Sequence, residues 1–157
     1  MARSIVLAAP VRTAIGTFGG TLKDTTAAEI GTVVMGNVVQ AGSKMNPARQ
    51  AAIKAGLPVT APAMTVNRVC GSGAQAIVSA AQYILLGETD TAVAGGAESM
   101  SRAAFASLTQ RWGARMGDSK MLDMMVGALT DPFDTVHMGI TAENVANKCG
   151  ITREQQD

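Results

Sequence analysis

Residues 62–96 read PAMTVNRVCGSGAQAIVSAAQYILLGETDTAVAGG, and this stretch decides the fold. Residues 62–69 form a mostly apolar run between Pro62 and a glycine-rich turn, the pattern of a buried strand. Residues 71–86 contain no charged side chain and are closed by Gly87, a length that suits a helix rather than a strand. Residues 91–94 are again a short apolar strand, stopped by Gly95-Gly96. Strand, helix and strand in succession make a βαβ unit. Its strands run parallel, because the helix carries the chain back to the starting edge.

The same alternation extends outward. Ser4-Ile5-Val6-Leu7-Ala8-Ala9, closed by Pro10, reads as a strand buried on both faces. Residues 12–24, with Gly16, Gly19 and Gly20, read as a loop, and residues 25–30 as a helix start with an N-cap Thr and Glu29 in the first turn. Residues 32–39 are a second apolar strand. Asn46-Pro47 opens a helix that runs to Lys54 and ends at Gly56, with Pro at the first helical position where its missing N–H costs nothing. The class is therefore α/β, a mostly parallel sheet with helices on its faces, and such sheets bind ligands at the carboxyl ends of their strands.

Residues 100–140 break the rhythm. Met116, Met121, Met124 and Met125 are mixed there with Arg111, Arg115, Lys120, Asp118 and Asp123. A methionine set of this kind reads as adaptable core rather than a cofactor box, and the stretch as an excursion from the sheet that meets a partner subunit. Residues 142–149 read as a short helix stopped by Gly150. Thr152-Arg153-Glu154-Gln155 then matches a capping box, so a helix start is specified close to Asp157 and the polypeptide is expected to continue. The expectation is one domain over residues 1–157: an α/β core at 1–99, the excursion at 100–140, and the start of a truncated helical segment at 141–157.

Composition narrows the partners. The chain has 157 residues and a net charge of +1, against nucleic acid or an anionic membrane as the main partner, since both call for a basic face. Aromatic residues are only 3%, which leaves little stacking surface for single strands. No run of about 18 apolar residues is expected to span a membrane. Two cysteines, Cys70 and Cys149, are too few for a secreted disulfide scaffold, so a reducing, cytoplasmic location is the default. Arg3, Arg12 and Lys23, with no acid before Asp24, leave a mitochondrial transit peptide as the alternative.

Cys70 sits where a buried strand ends and a long helix begins. Unpaired N–H groups and the positive end of the helix dipole favour a thiolate there, and the same N–H groups could receive an oxyanion. Gly71 and Gly73 permit a sharp turn like the nucleophile elbow of hydrolases. An inert buried thiol is the plain alternative. A third reading uses the same residues: Gly71-x-Gly73-x-x-Ala76, with Glu98 after the next strand, fits a dinucleotide-binding fingerprint.

Val66-Asn67-Arg68-Val69-Cys70-Gly71-Ser72-Gly73 closely resembles the acyl-enzyme cysteine motif of the thiolases, in particular the acetyl-CoA acetyltransferases. Ala9-Pro10-Val11-Arg12-Thr13, Met35-Gly36-Asn37-Val38, Asn46-Pro47-Ala48-Arg49-Gln50, Gly95-Gly96-Ala97-Glu98-Ser99-Met100-Ser101, Arg111-Trp112-Gly113-Ala114-Arg115-Met116-Gly117 and His137-Met138-Gly139-Ile140-Thr141-Ala142-Glu143-Asn144 resemble the family in its usual order. The resemblance implies a ping-pong acyl transfer between acyl-CoA and Cys70, with acyl-CoA and CoA as substrates and no cofactor or metal. It further implies an acyl-CoA pocket wall at Leu129, His137 and Met138, and a homo-oligomer. Cys149 reads as a bystander.

Two departures follow from the same resemblance. The base and second oxyanion hole of the family lie in a C-terminal half that has no counterpart in these residues, so the chain reads as an incomplete enzyme or, alternatively, an inactive fragment or interaction module. The first crossover, between Ile30 and Thr32, is also short by a helix and loop of roughly twenty residues, whereas a parallel crossover takes a dozen or more.

Overall fold

The computed structural model describes residues 4–7 and 30–157. The chain divides into two compact units, Met1–Arg102 and Ala103–Asp157.

In the first unit, β1 (Thr32–Gly36), β2 (Ala63–Val66) and β3 (Ala92–Gly96) form a parallel sheet in the order β2-β1-β3. Helix α1 (Pro47–Lys54) connects β1 to β2, and α2 (Ser72–Leu86) connects β2 to β3. Side chains alternate across the central strand. Val33 and Met35 pack with Ile30 against Ala48 and Ala52 of α1, while Val34 packs against Ala76 and Ala80 of α2. The two helices thus cover opposite faces. Their contact residues are alanines, which let each helix backbone lie close to the sheet. Val34, fully buried, contributes about 1.5–3 kcal/mol by leaving water.

The βαβ units and the limits of α1 and α2 agree with the sequence. Asn46 caps α1 by accepting the Arg49 N–H (3.2 Å), and Gly87 closes α2 in the left-handed conformation, at φ 80°. Three expectations need correction. Residues 4–7 lie in no strand, and Ser4, Val6 and Leu7 are exposed, Val6 by 81%. Among the described strands β1 takes the centre of the sheet, between β2 and β3. β1 stops at Gly36 instead of running to Val39, because the N–H groups of Val38 and Val39 turn to the Glu98 carboxylate (2.8 and 3.2 Å). β2 stops at Val66, because Val69 takes a left-handed conformation. The helix start expected at residues 25–29 lies outside the described residues.

Val69–Leu86 has the length and apolar composition of a membrane span, contrary to the expectation of none. A core helix of a sheet protein passes the same test, and α2 buries Ser72, Ala76 and Ala80 along one stripe. Its opposite face, with Ala74, Ile77, Val78 and Leu85, is exposed.

In the second unit, β4 (Phe105–Ala106) pairs antiparallel with β5 (Leu122–Asp123), and Asp123 caps α3 (Met124–Ala128). Helix α4 (Met138–Cys149) and the single turn α5 (Arg153–Gln156) follow. The expected capping box forms in both directions, Thr152 with Gln155. Glu154 beside it has its carboxyl held below the usual range, first by a backbone N–H at the helix start and then by Thr152. The methionine expectation fails at Met116, 97% exposed, and at Met121, 56% exposed. No regular helix carries them, so the spacing has no buried face to serve.

Candidate active site

The loops leaving β1 and β2 lead to helices on opposite faces of the sheet, the arrangement beside which parallel sheets place ligands at their carboxyl edge. Four segments meet there: Asn37 after β1, residues 67–71 after β2, the first turn of α2, and residues 97–98 after β3. Their close approach depends on glycine. A Cβ on Gly36 would stand 2.5 Å from the Ser72 carbonyl carbon and 2.8 Å from the Gly73 nitrogen. One on Gly96 would stand 3.3 Å from the Gly36 carbonyl oxygen.

Cys70 lies on the turn into α2 and is exposed to solvent. The turn is held by its own side chains. Val69 has φ 50°, a conformation that costs a β-branched residue roughly 1–3 kcal/mol. The Val69 N–H donates to Asn67 Oδ1 (2.9 Å), and the Val69 carbonyl accepts from the Ser72 hydroxyl (2.6 Å) and the Ser72 N–H (3.1 Å). The Ser72 hydroxyl, buried, also accepts the Arg68 N–H (2.9 Å), and the Arg68 carbonyl accepts the Gly71 N–H (3.1 Å). Every backbone polar group of Arg68 and Val69 is therefore engaged.

Glu98 ties the other strands to this edge. Its carboxylate accepts from Asn37 Nδ2 (2.9 Å) as well as from the N–H groups of Val38 and Val39. Asn37 Nδ2 also donates to the Ala97 carbonyl (2.8 Å). Two acceptors on that nitrogen fix the orientation of the amide, and its Oδ1 is buried with no partner among the described residues. Both Glu98 oxygens serve the backbone and amide, so the acid that a dinucleotide would need for its ribose is already engaged.

The three residues expected to line the acyl pocket come together in the second unit. The Met138 N–H donates to the Leu129 carbonyl (2.8 Å), and Thr130 pairs with His137 in an antiparallel bridge. His137 is the N-cap of α4, which begins at Met138, four residues before the start expected from the sequence. Imidazole is not among the usual caps, so the sequence carried little signal for this. Its Nδ1 accepts the Gly139 N–H (3.1 Å), which makes Nε2 the ring's donor in the neutral form. Cys149, at the end of α4, is exposed. Among the described residues no group of three or more His, Cys, Asp or Glu side chains could hold a metal ion.

Residues that sequence reasoning missed are Asn37 and Asn67. The available signal was position: each is the first polar residue after an apolar strand, where a side-chain amide can bond its neighbours' backbone.

The family model described as "Thiolase, N-terminal domain" matches residues 26–157. The beta-ketothiolase BktB of Cupriavidus necator is 54% identical over all of this chain and 45% of its own length. An acetyl-CoA acetyltransferase of the same organism is 49% identical over 98% of this chain and 44% of its own length. The crystal structure of the Bacillus anthracis acetyl-CoA acetyltransferase superimposes with a TM-score of 0.77 at 41% identity, covering 84% of this chain and 34% of that one. This chain thus spans less than half the length of these relatives. The first alignment runs over 177 positions against 157 residues, so at least 20 positions of that relative have no counterpart here, the size of the crossover shortfall read from the sequence. Motif order, sheet architecture and identity over the whole length agree: the chain belongs to the thiolase family.

Proposed function

We propose that Cys70 is the acyl-accepting nucleophile of a thiolase-type acyl transfer. The supporting observation is its position: an exposed thiol on a braced turn at the start of α2, at the carboxyl edge of the sheet, in a chain whose relatives are named beta-ketothiolase and acetyl-CoA acetyltransferase. The Cys70 sulfur, as thiolate, attacks the thioester carbonyl of an acyl-CoA. The new C–S bond forms, the carbonyl becomes an oxyanion, and its collapse breaks the bond to CoA, which leaves as thiolate and takes up a proton. One thioester replaces another, so orientation and oxyanion stabilisation are what the protein must add. No cofactor or metal enters this step.

Leu129, His137 and Met138 form the acyl-CoA pocket wall in this reading, with the His137 Nε2–H offered to the substrate. Condensing the acyl group with a second acetyl-CoA needs a base and a second oxyanion hole, which we assign to the portion of the relatives that this chain does not span. The chain then holds the acylation half-reaction, in a single domain that completes itself with a C-terminal half and assembles as a homo-oligomer. A cytoplasmic location accords with bacterial relatives; nucleic acid and membrane are not partners in this reading.

Intact-mass measurement after incubation with acetyl-CoA tests the assignment. A gain of one acetyl group on the wild type and none on Cys70→Ala is expected; equal masses would refute it. Measurable acetoacetyl-CoA from the chain alone would refute the incompleteness. The second reading, an inactive interaction module, is favoured by the bare apolar face of α2, and it predicts no acylation together with retained association.

A further inference from the structure

We infer that Asn67 and Ser72 are positioning residues whose task is to hold Val69 in its left-handed conformation and so aim Cys70. This rests on the reading of Cys70 as the acyl acceptor. Valine is among the residues least suited to φ 50°, because its two Cγ branches crowd the backbone. Left to itself the turn relaxes to negative φ, which rotates the Val69–Cys70 peptide and moves Cys70 relative to the first turn of α2.

Both ends of the strained residue are tied. Asn67 Oδ1 holds the Val69 N–H at 2.9 Å, and Ser72 holds the Val69 carbonyl through its hydroxyl (2.6 Å) and its own N–H (3.1 Å). Ser72 is 5% exposed and its hydroxyl also takes the Arg68 N–H, so its oxygen is fixed from both sides. Asn67 is anchored in turn by Nδ2 to the Val38 carbonyl (3.5 Å), the residue whose N–H the Glu98 carboxylate holds at 2.8 Å. A continuous set of bonds therefore runs from β3 through the β1 edge to the residue beside Cys70. Neither Asn67 nor Ser72 acts on substrate in this account; each acts through Val69. A turn that needed only to change direction would place glycine or asparagine at position 69 and would need neither tie.

The experiment measures the rate of Cys70 acetylation by acetyl-CoA, with iodoacetamide labelling of Cys70 read against Cys149 in the same molecule. Asn67→Ala and Ser72→Ala are expected to slow both Cys70 reactions about tenfold and leave Cys149 unchanged. Asn67→Asp keeps the acceptor oxygen and is expected to stay within about threefold of wild type. Adding Val69→Gly to Asn67→Ala removes the strain and is expected to restore the rate to the same range. A purely structural role for Asn67 predicts no such rescue. Should Asn67→Ala fail to fold, Ser72→Ala with and without Val69→Gly carries the same expectation. A normally acetylated wild type whose Asn67→Ala and Ser72→Ala variants react at its rate, or whose slow variants Val69→Gly does not restore, overturns this inference alone. A wild type that takes no acetyl group overturns the acyl-transfer reading and the positioning role with it.

Discussion

A methyl group on Gly36 would stand inside the van der Waals envelope of the first turn of α2, 2.5 Å from the Ser72 carbonyl carbon. The contact is backbone against backbone, so neither side can yield by a rotamer change. Gly36→Ala is therefore expected to destabilise the chain by about 1–3 kcal/mol, read from urea unfolding, and to slow Cys70 labelling because α2 is displaced where Cys70 enters it. At this scale the sequence was partly legible. Cys70 stood out through its flanking glycines and its place between strand and helix. The left-handed turn beside it was hidden, since Val69 is a residue type that argues for strand, and only hydrogen bonds from Asn67 and Ser72 reverse that preference.

Elements were legible where their ends carry chemistry of their own. Helix α1 is specified by Asn46 and Pro47, and the structure adds that Asn46 is bound on both sides. Its Nδ2 donates to the Ala63 carbonyl (2.9 Å), and its Oδ1 accepts the Thr65 hydroxyl (2.8 Å) besides the Arg49 N–H. The cap thus joins the helix to β2. Asn46→Ala removes these bonds and places alanine at φ 48°, so a loss of about 2 kcal/mol is expected in thermal or urea unfolding, at the upper end of the range for a lost cap. Gly at the same position keeps the backbone conformation and is expected to lose less. Strand lengths were less legible. β1 ends where the Glu98 carboxylate takes over the N–H groups beyond it, and no local pattern announces a bond from Val38 to a residue sixty positions away; β2 ends at a local turn in which Asn67 accepts the Val69 N–H.

For the whole chain, α2 is the feature with most consequence. Its sheet-facing stripe is Ser72, Ala76 and Ala80, while Ile77, Val78 and Leu85 remain 39%, 49% and 52% exposed. A second apolar stripe on a helix, beside the one that faces the sheet, normally has cover of its own. The 157-residue chain is therefore expected to bind a hydrophobic dye. The double variant Val78→Lys, Leu85→Lys is expected to bind much less of it while its unfolding free energy stays within about 1 kcal/mol of wild type, since both positions face solvent. Unchanged dye binding would locate the exposed surface elsewhere.

Sequence by itself determined the class and the family and singled out Cys70 as the candidate, because βαβ alternation, glycine punctuation and an ordered set of motifs are local properties that survive without the fold. It also determined that the first crossover is short. Strand order was decided in three dimensions: β1 pairs with β2 on one side and β3 on the other, and residues 4–7 lie in no strand. The engagement of Glu98 by Asn37, Val38 and Val39 was likewise a tertiary decision, because its bonds join residues about sixty positions apart and only packing brings their ends together. The brace around Val69 and the Leu129–Met138 bond are short-range in sequence, yet they too needed the structure, since residue type argues for strand at Val69 and gives no cap signal at His137.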